Sequence, residues 1–338
     1  MKKSEAKHKT LIYFIVSLLL FVIIFALALA VGRYKIGINA FFRAVFTDDP
    51  EYATERSVIL NLRLPRTIVA GLTGIALCLS GLLYQETFQN KLTSPDLLGV
   101  SNGAGVGAAV AIVLGLSSAF ISIFAFALGI LTVLATVMIA KLFKNGSSTI
   151  LLLSGIIVGG FMSSCLALVK YFAGDEVKLA SITYWLMGSF ADSTMKTVWI
   201  LLPIVAVSAI FLFIIRFRIN IVALGREEAQ TKGINYTFYR YLIIAVATLL
   251  TASTVAFCGT ISWIGLVVPH IVRLLAGRNT AKTIPLCVTF GGVFMIAVDI
   301  LSRTFTSEEI PLSAVTGLFG TVIFIIILFA KRRDYNEY

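Results

Sequence analysis

Stretches of about twenty apolar residues recur ten times along this chain, and no other feature constrains its fold as tightly. A helix needs about 20 mostly apolar residues to cross the hydrocarbon core of a bilayer. The runs at 11–31, 65–85, 95–115, 118–141, 149–172, 196–216, 237–257, 262–277, 283–303 and 311–330 therefore predict ten crossing helices. Only 13% of the residues are charged and 58% are hydrophobic, against about 25% charged in a soluble domain. A water-facing globular surface cannot be assembled from this mixture, so the expected fold is an all-α integral membrane bundle, one polytopic domain over 1–338.

The net charge of +11 follows from the same reading, because multispanning proteins carry excess Lys and Arg in cytoplasmic loops. With the N-terminus inside, the inner ends hold Lys2, Lys3, Lys7, Lys9, Lys91, Lys141, Lys144, Arg216, Arg218, Arg226, Lys232, Arg240, Arg273, Arg278, Lys282, Lys331, Arg332 and Arg333, which are most of the 28 basic residues. Both termini are thus expected in the cytoplasm. No basic stripe is interleaved with exposed aromatics, so nucleic acid is not an expected partner. The first apolar run exceeds the 7–15 residues of a signal-peptide core and lacks a small-x-small cleavage site, which reads as a retained first helix.

Chemistry-bearing patterns are scarce. Cys78, Cys165, Cys258 and Cys287 lie inside apolar runs at no metal-ligand spacing and read as small core residues. No G-x-x-x-x-G-K-[S/T] phosphate cradle occurs, so ATP is not bound by that device. Neither a catalytic triad nor a metal cluster can be built around His270, which reads as structural. Ionisable residues in the apolar runs are few: Glu86 and Lys170 near helix ends, His270 and Arg273 near the inner side, and Asp299, whose spacing from Arg303 predicts an intrahelical ion pair. Gly99, Gly103 and Gly107, and Gly155 and Gly159, repeat every four residues, which places small residues on one helical face for close packing.

Two polar excursions stand out. Gly32 to Leu64 falls outside and carries Asp48, Asp49, Glu51 and Glu55, whereas 218–236 falls inside. Within the inner one, Ala223 to Ile234 reads as two short helical turns broken at Gly225 and Gly233 with charges pointing into the cytoplasm. A rigid charged projection of this kind suits docking of another protein.

Several ordered motifs then coincide. They are Leu62-Arg63-Leu64-Pro65-Arg66; Ser80-Gly81 with Gln85; Asn90-x-Leu92; Pro95 to Ala104; Trp185-Leu186-Met187-Gly188-Ser189; Ala223-Leu224-Gly225 with Ala229 and Gly233; Gly259-x-Ile261 through Gly265-Leu266-Val267-Val268-Pro269-His270-Ile271-Val272-Arg273; and Glu309-Ile310-Pro311-Leu312. Together, over nearly the whole chain, they resemble the permease subunits of bacterial type II ATP-binding-cassette (ABC) importers, the FecCD and BtuC-like family of ferric-siderophore, haem and vitamin B12 permeases.

The resemblance implies roles residue by residue. Ala223, Leu224, Gly225, Arg226, Glu227, Glu228, Ala229 and Gly233 align with the coupling helices that sit in a cleft of the ATPase. Arg226, Gln230 and Lys232 depart from the usual residues there. Asn90 and Leu92, with Ser148 and Thr149, align with the cytoplasmic gate, although Lys91 replaces a usual proline. Arg63, Arg66 and Arg303 align with arginines that meet glutamates of the substrate-binding protein, with interfacial snorkelling as the plainer alternative. Gly155 and Gly159, with Trp185 and Gly188, are candidates for the pathway lining.

The expected function is ATP-driven import by alternating access, with ferric siderophore as the expected substrate and haem or vitamin B12 as alternatives. The expected partners are a cytoplasmic ABC ATPase dimer, which binds the ATP and Mg, a second permease subunit that is a paralogue more than an identical copy, and an extracellular or periplasmic binding protein. This chain is expected to hold no cofactor, catalyse no covalent step and reside in the bacterial cell membrane. An ion-coupled secondary transporter and a lipid-modifying enzyme are the rival classes. Scarce intramembrane acids oppose the first, and the lack of a nucleophile or metal cluster opposes the second.

Overall fold

The computed structural model describes residues 2–143, 147–277 and 279–335, with side chains described from residue 9 to 327 within those ranges and at 329. Lys144 lies outside them, as do the side chains of Lys2, Lys3, Lys7, Lys331, Arg332 and Arg333. The described residues form helices and connecting turns with no strand. In chain order the helices are α1 (Lys2–Ala30), α2 (Ile38–Phe46), α3 (Ala53–Ser57), α4 (Leu64–Thr87), α5 (Val100–Val113), α6 (Ser118–Leu142), α7 (Ser148–Tyr171) and α8 (Glu176–Met187). They continue as α9 (Met195–Val222), α10 (Arg226–Thr231), α11 (Tyr236–Cys258), α12 (Ile264–Ala276), α13 (Thr280–Thr304) and α14 (Leu312–Tyr335).

Each of the ten apolar runs meets a helix, but they are not all of crossing length. Among the described residues, seven helical segments are long and apolar enough to cross a membrane, one of them the continuous stretch Pro50–Thr87 that includes α4. The expected spans at 95–115 and 262–277 are instead the short helices α5, of 14 residues, and α12, of 13. At 1.5 Å per residue these reach about 20 Å, short of a core about 30 Å thick. Each is preceded by irregular backbone: a tight turn at Pro95–Leu98 closed by Gly99 at φ 81°, and Gly259–Trp263, in which Trp263 holds φ 71°. Non-helical backbone at this depth requires protein around it to satisfy its polar groups, and the bundle provides that. The Leu98 carbonyl accepts from Thr136 Oγ1 at 3.2 Å and the Thr260 carbonyl from Ser313 Oγ at 2.6 Å.

Helix α4 is the axis of the bundle, with 89% of its apolar window buried among α9, α11, α12 and α13. Glycines admit its neighbours: a Cβ on Gly74 would lie 2.1 Å from the Gly291 carbonyl oxygen of α13. Only 11% of the apolar window of α1 and 28% of that of α7 is buried, so these helices turn apolar faces outward, as lipid-facing helices do. The expected glycine stripe of the third span is divided. Gly103 and Gly107 pack α5 against Thr132 and Phe124 of α6, while Gly99 is the left-handed residue that starts the helix.

Candidate functional site

The two ends of the bundle carry different chemistry. Arg66 opens α4 and Gln89 lies just beyond its end, about 35 Å away along the axis. The Arg66 end holds the three arginines singled out in the sequence. Arg66 Nε lies 2.8 Å from Asp299 Oδ1, and its two terminal nitrogens reach Glu309 at 2.6 and 3.1 Å, a forked pairing. Arg303 Nε lies 3.4 Å from Asp299 Oδ2, and its Nη2 donates to the Ala28 carbonyl. Arg63 donates to the carbonyls of Leu29 at 2.8 Å, Ala30 at 2.7 Å and Tyr34 at 2.5 Å. It thereby caps the last turn of α1, where carbonyls lack intrahelical donors.

Asp299 is fully buried, and Arg63, Arg66 and Arg303 are all largely buried with internal partners. The intrahelical Asp299–Arg303 pair exists as expected, but Asp299's shortest contact is to Arg66 of another helix. Arg33, Arg63, Arg66, Arg303 and Glu309 line a cavity of about 290 Å³ open at this end.

Beside it lies a larger cavity of about 730 Å³, lined by Tyr184, Trp185, Met187, Gly188, Asp192, Phe257, Gly259, Glu308, Glu309 and Pro311 among others. Trp185 and Gly188 thus line open space. Gly188 (φ 74°) sits where three segments meet. Its carbonyl accepts from Leu312 N at 3.2 Å, and Ser189 N donates to the Cys258 carbonyl at 3.0 Å. A Cβ on Gly259 would lie 2.2 Å from the Trp185 carbonyl oxygen, so the Gly259 turn locks onto the end of α8.

Gly155 and Gly159 are placed differently. A Cβ on Gly155 would lie 2.2 Å from the Leu97 carbonyl oxygen, and the Gly159 carbonyl accepts from Asn102 Nδ2 at 3.2 Å. Both are buried. In this conformation their face of α7 is filled by the Pro95–Val100 turn and α5, and their small size serves close packing. Gly160, one residue on, faces open space instead.

At the Gln89 end, α9 ends at Val222 and Gly225 adopts φ 107° before α10. Of the two expected helical turns, the first is the tail of α9 and the second is α10. Ala229 is fully buried, whereas Arg226, Glu227, Glu228, Gln230, Thr231 and Lys232 are exposed. One small apolar residue fixes the turn to the bundle and the charges project from it. Gln89 Nε2 donates to the Ala223 carbonyl at 3.2 Å, and a Cβ on Gly225 would lie 2.8 Å from that nitrogen. Asn90, Leu92 and Thr149 are exposed at the same end and Ser148 is half-buried; Asn90 Oδ1 accepts from Leu92 N at 3.0 Å, which stiffens the turn that Lys91 occupies.

A buried polar group on α4 and α12 lies above this end. Gln85 Nε2 donates to the Gly265 carbonyl at 3.1 Å and its Oε1 accepts from Arg273, which lies 3.6 Å from Glu86 and 3.4 Å from His270 Nδ1. His270 also packs edge-on against Phe324, the structural placement expected of it. No cluster of three His, Cys, Asp or Glu side chains occurs among the described residues. Reading the sequence missed Glu309 as the partner of Arg66, Gln89 as the brace of Ala223, and Asn220, whose Oδ1 accepts from Thr280 N at 3.0 Å. No local spacing signals any of these contacts.

This arrangement has known counterparts. Residues 18–330 match the FecCD transport family. The chain is 33% identical to the molybdate import system permease protein MolB of Haemophilus influenzae, over 94% of this chain and 96% of that protein. It is 35% identical to an iron chelatin transport system permease protein of Helicobacter pylori, over 85% of this chain and 87% of that one. Its fold superposes with a TM-score of 0.85 on the solved inward-facing conformation of a metal-chelate type ABC transporter, at 32% identity over 94% of this chain and 98% of that chain. The chain therefore belongs to the FecCD transport family and is a permease of the ABC importer class.

Proposed function

We propose that this permease imports a ferric siderophore by alternating access, driven by a separate ABC ATPase dimer that docks on Ala223–Gly233, with residues 218–236 as the coupling loop of one polytopic domain. ATP and Mg belong to that ATPase, and this chain contributes the path and no covalent chemistry. A second permease subunit, a paralogue, completes the path. An external binding protein delivers the chelate at the Arg63, Arg66 and Arg303 end, and both termini of this chain lie on the cytoplasmic side of the bacterial cell membrane. Asn90, Leu92, Ser148 and Thr149 form the inner gate.

The observation that carries this reading is the geometry of the projection: exposed charges on a six-residue helix, anchored by buried Ala229, at the end opposite a roomy mouth. The substrate class draws on that mouth. Its cavity of about 730 Å³ presents aromatic surfaces from Tyr184, Trp185 and Phe257 with the carboxylates Asp192, Glu308 and Glu309, and no Lys, Arg or His among the described lining residues. A small oxyanion of the kind named for the Haemophilus influenzae relative would meet the carboxylates of Asp192 and Glu308 there, since the nearby cation Arg66 is already paired with Glu309 and Asp299. A bulky chelate can use the apolar walls.

The test is uptake of radiolabelled iron as a ferric trihydroxamate, with haem, vitamin B12 and molybdate in parallel, in cells lacking the native gene and carrying it back on a plasmid. Restoration of ferric-chelate uptake alone supports the reading. Restoration of molybdate uptake without ferric-chelate uptake overturns the substrate.

A further inference from the structure

Two motifs of the sequence, Gln85 in α4 and Gly265 through Arg273 in α12, are left without a role by docking and pathway. They meet in one joint. Pro269 sits inside α12, and a proline has no N–H to give to the carbonyl four residues back. The carbonyl so deprived is that of Gly265. Gln85 Nε2 lies 3.1 Å from that oxygen and supplies the donor from a neighbouring helix. Gly81, one turn earlier on the same face of α4, lets the carbonyl in, because a Cβ there would stand 1.9 Å from it. The other end of the same amide accepts from Arg273, which faces Glu86. A single side chain thus repairs the proline break and holds the inner end of α12 to α4.

The joint lies between the two ends of the molecule. One turn beyond Gln85, Gln89 braces the Ala223 carbonyl of the coupling segment. In the other direction, α12 begins at Ile264, just after the turn whose Thr260 bonds α8 through the Leu186 carbonyl and α14 through Ser313. The inner end of α4 therefore touches the projection on one side and, through Gln85, the helix that leads to the mouth on the other.

We propose that Gln85 is a positioning residue of the transport cycle: it replaces the donor that Pro269 withholds from the Gly265 carbonyl, fixes the direction of α12 against α4, and lets movement at Ala223 reach the mouth. A merely space-filling Gln85 makes a different prediction, because it has no reason to depend on residue 269.

The experiment is a double-mutant cycle of Gln85→Leu and Pro269→Ala in the importer assembled with its ATPase and binding protein, with ATP-driven uptake normalised to assembled complex and thermal unfolding measured on the same samples. Gln85→Leu leaves a buried carbonyl without a donor, and uptake is expected to fall about tenfold, with unfolding about 3 °C lower. Pro269→Ala restores an N–H to the Gly265 carbonyl from within α12, so the double variant is expected to recover to within about threefold of the Pro269→Ala variant, an energetic coupling that separate sites do not show. Native uptake and unfolding in Gln85→Leu, or the same penalty from it in both backgrounds, overturns the proposal. Should Pro269→Ala alone abolish uptake, the unfolding cycle decides by the same criterion and needs no transport. That readout stands apart from the importer reading, which fails only if no background shows ATP-driven uptake.

Discussion

Arg66 and Asp299, 233 residues apart in sequence, are joined by a 2.8 Å charge-assisted hydrogen bond between α4 and α13. Asp299 is fully buried and also faces Arg303 at 3.4 Å, so one carboxylate bridges two guanidinium groups from two helices, with Glu309 supplying the second negative charge. Removing one member of a buried ion group leaves the others uncompensated, at a cost of about 3–5 kcal/mol. Asp299→Ala is expected to lower the unfolding temperature of the detergent-purified protein far more than Asp49→Ala, which changes an N-cap in the exposed loop and costs about 1 kcal/mol.

The three arginines at this end are expected to separate by experiment. Arg63→Ala removes all three of its bonds to the carbonyls of Leu29, Ala30 and Tyr34, so it should reduce stability by about 2 kcal/mol before it affects any partner. Arg66 is the one paired with the half-exposed Glu309, a carboxylate that an incoming acidic partner could displace. Arg66→Glu also breaks the buried pair with Asp299, so it is assayed on folded protein assembled with its ATPase, where it should weaken capture of the binding protein and flatten its dependence on salt, since charge pairs at an interface act on association and orientation. Salt-dependent capture identical to native would remove Arg66 from the docking surface.

Much of this was legible in the sequence, for identifiable reasons. Apolar runs report helices directly, and all ten runs are helical. Their lengths misreport α5 and α12, because Leu97, Leu98, Ile261 and Trp263 extend the apolar runs into turns at Pro95–Leu98 and Gly259–Trp263, whose backbone only a surrounding bundle can satisfy. Helices α2 and α8 lie in segments whose apolar runs are too short to stand out. The Asp299–Arg303 pair was readable because four-residue spacing is local, whereas Arg66 reaches the same carboxylate through tertiary folding that no spacing encodes. Likewise the spacing of Gly155 and Gly159 announced a close approach, and only the structure names Leu97 and Asn102 as what approaches.

Two glycines of α7, Gly155 and Gly160, offer a contrast in one helix. A methyl group at Gly155 collides with the Leu97 carbonyl, while nothing lies within 4 Å of the same position at Gly160. Gly155→Ala is expected to destabilise by about 1–3 kcal/mol through overpacking. Gly160→Ala should be neutral or stabilising by up to about 1 kcal/mol from helix propensity. Equal effects on thermal unfolding would contradict the packing assigned to Gly155.

The projection at Arg226–Thr231 makes a charge-specific prediction. Glu227 and Glu228 are exposed and hold no structural contact through their carboxylates among the described residues, so Glu227→Lys with Glu228→Lys should leave thermal unfolding within about 0.5 kcal/mol of native. The same double variant should lose co-purification of the ATPase. Retained co-purification with normal uptake would move the docking surface elsewhere.

The central claim is that transport through this chain is driven by ATP hydrolysed on a partner. It is tested most directly in proteoliposomes holding the permease pair, ATPase and binding protein, by measuring uptake of radiolabelled ferric trihydroxamate with ATP inside or outside, with and without imposed proton and sodium gradients. Uptake that requires ATP and Mg on the ATPase side and ignores both gradients is the predicted result. Uptake that follows an ion gradient and persists without ATP would contradict the account.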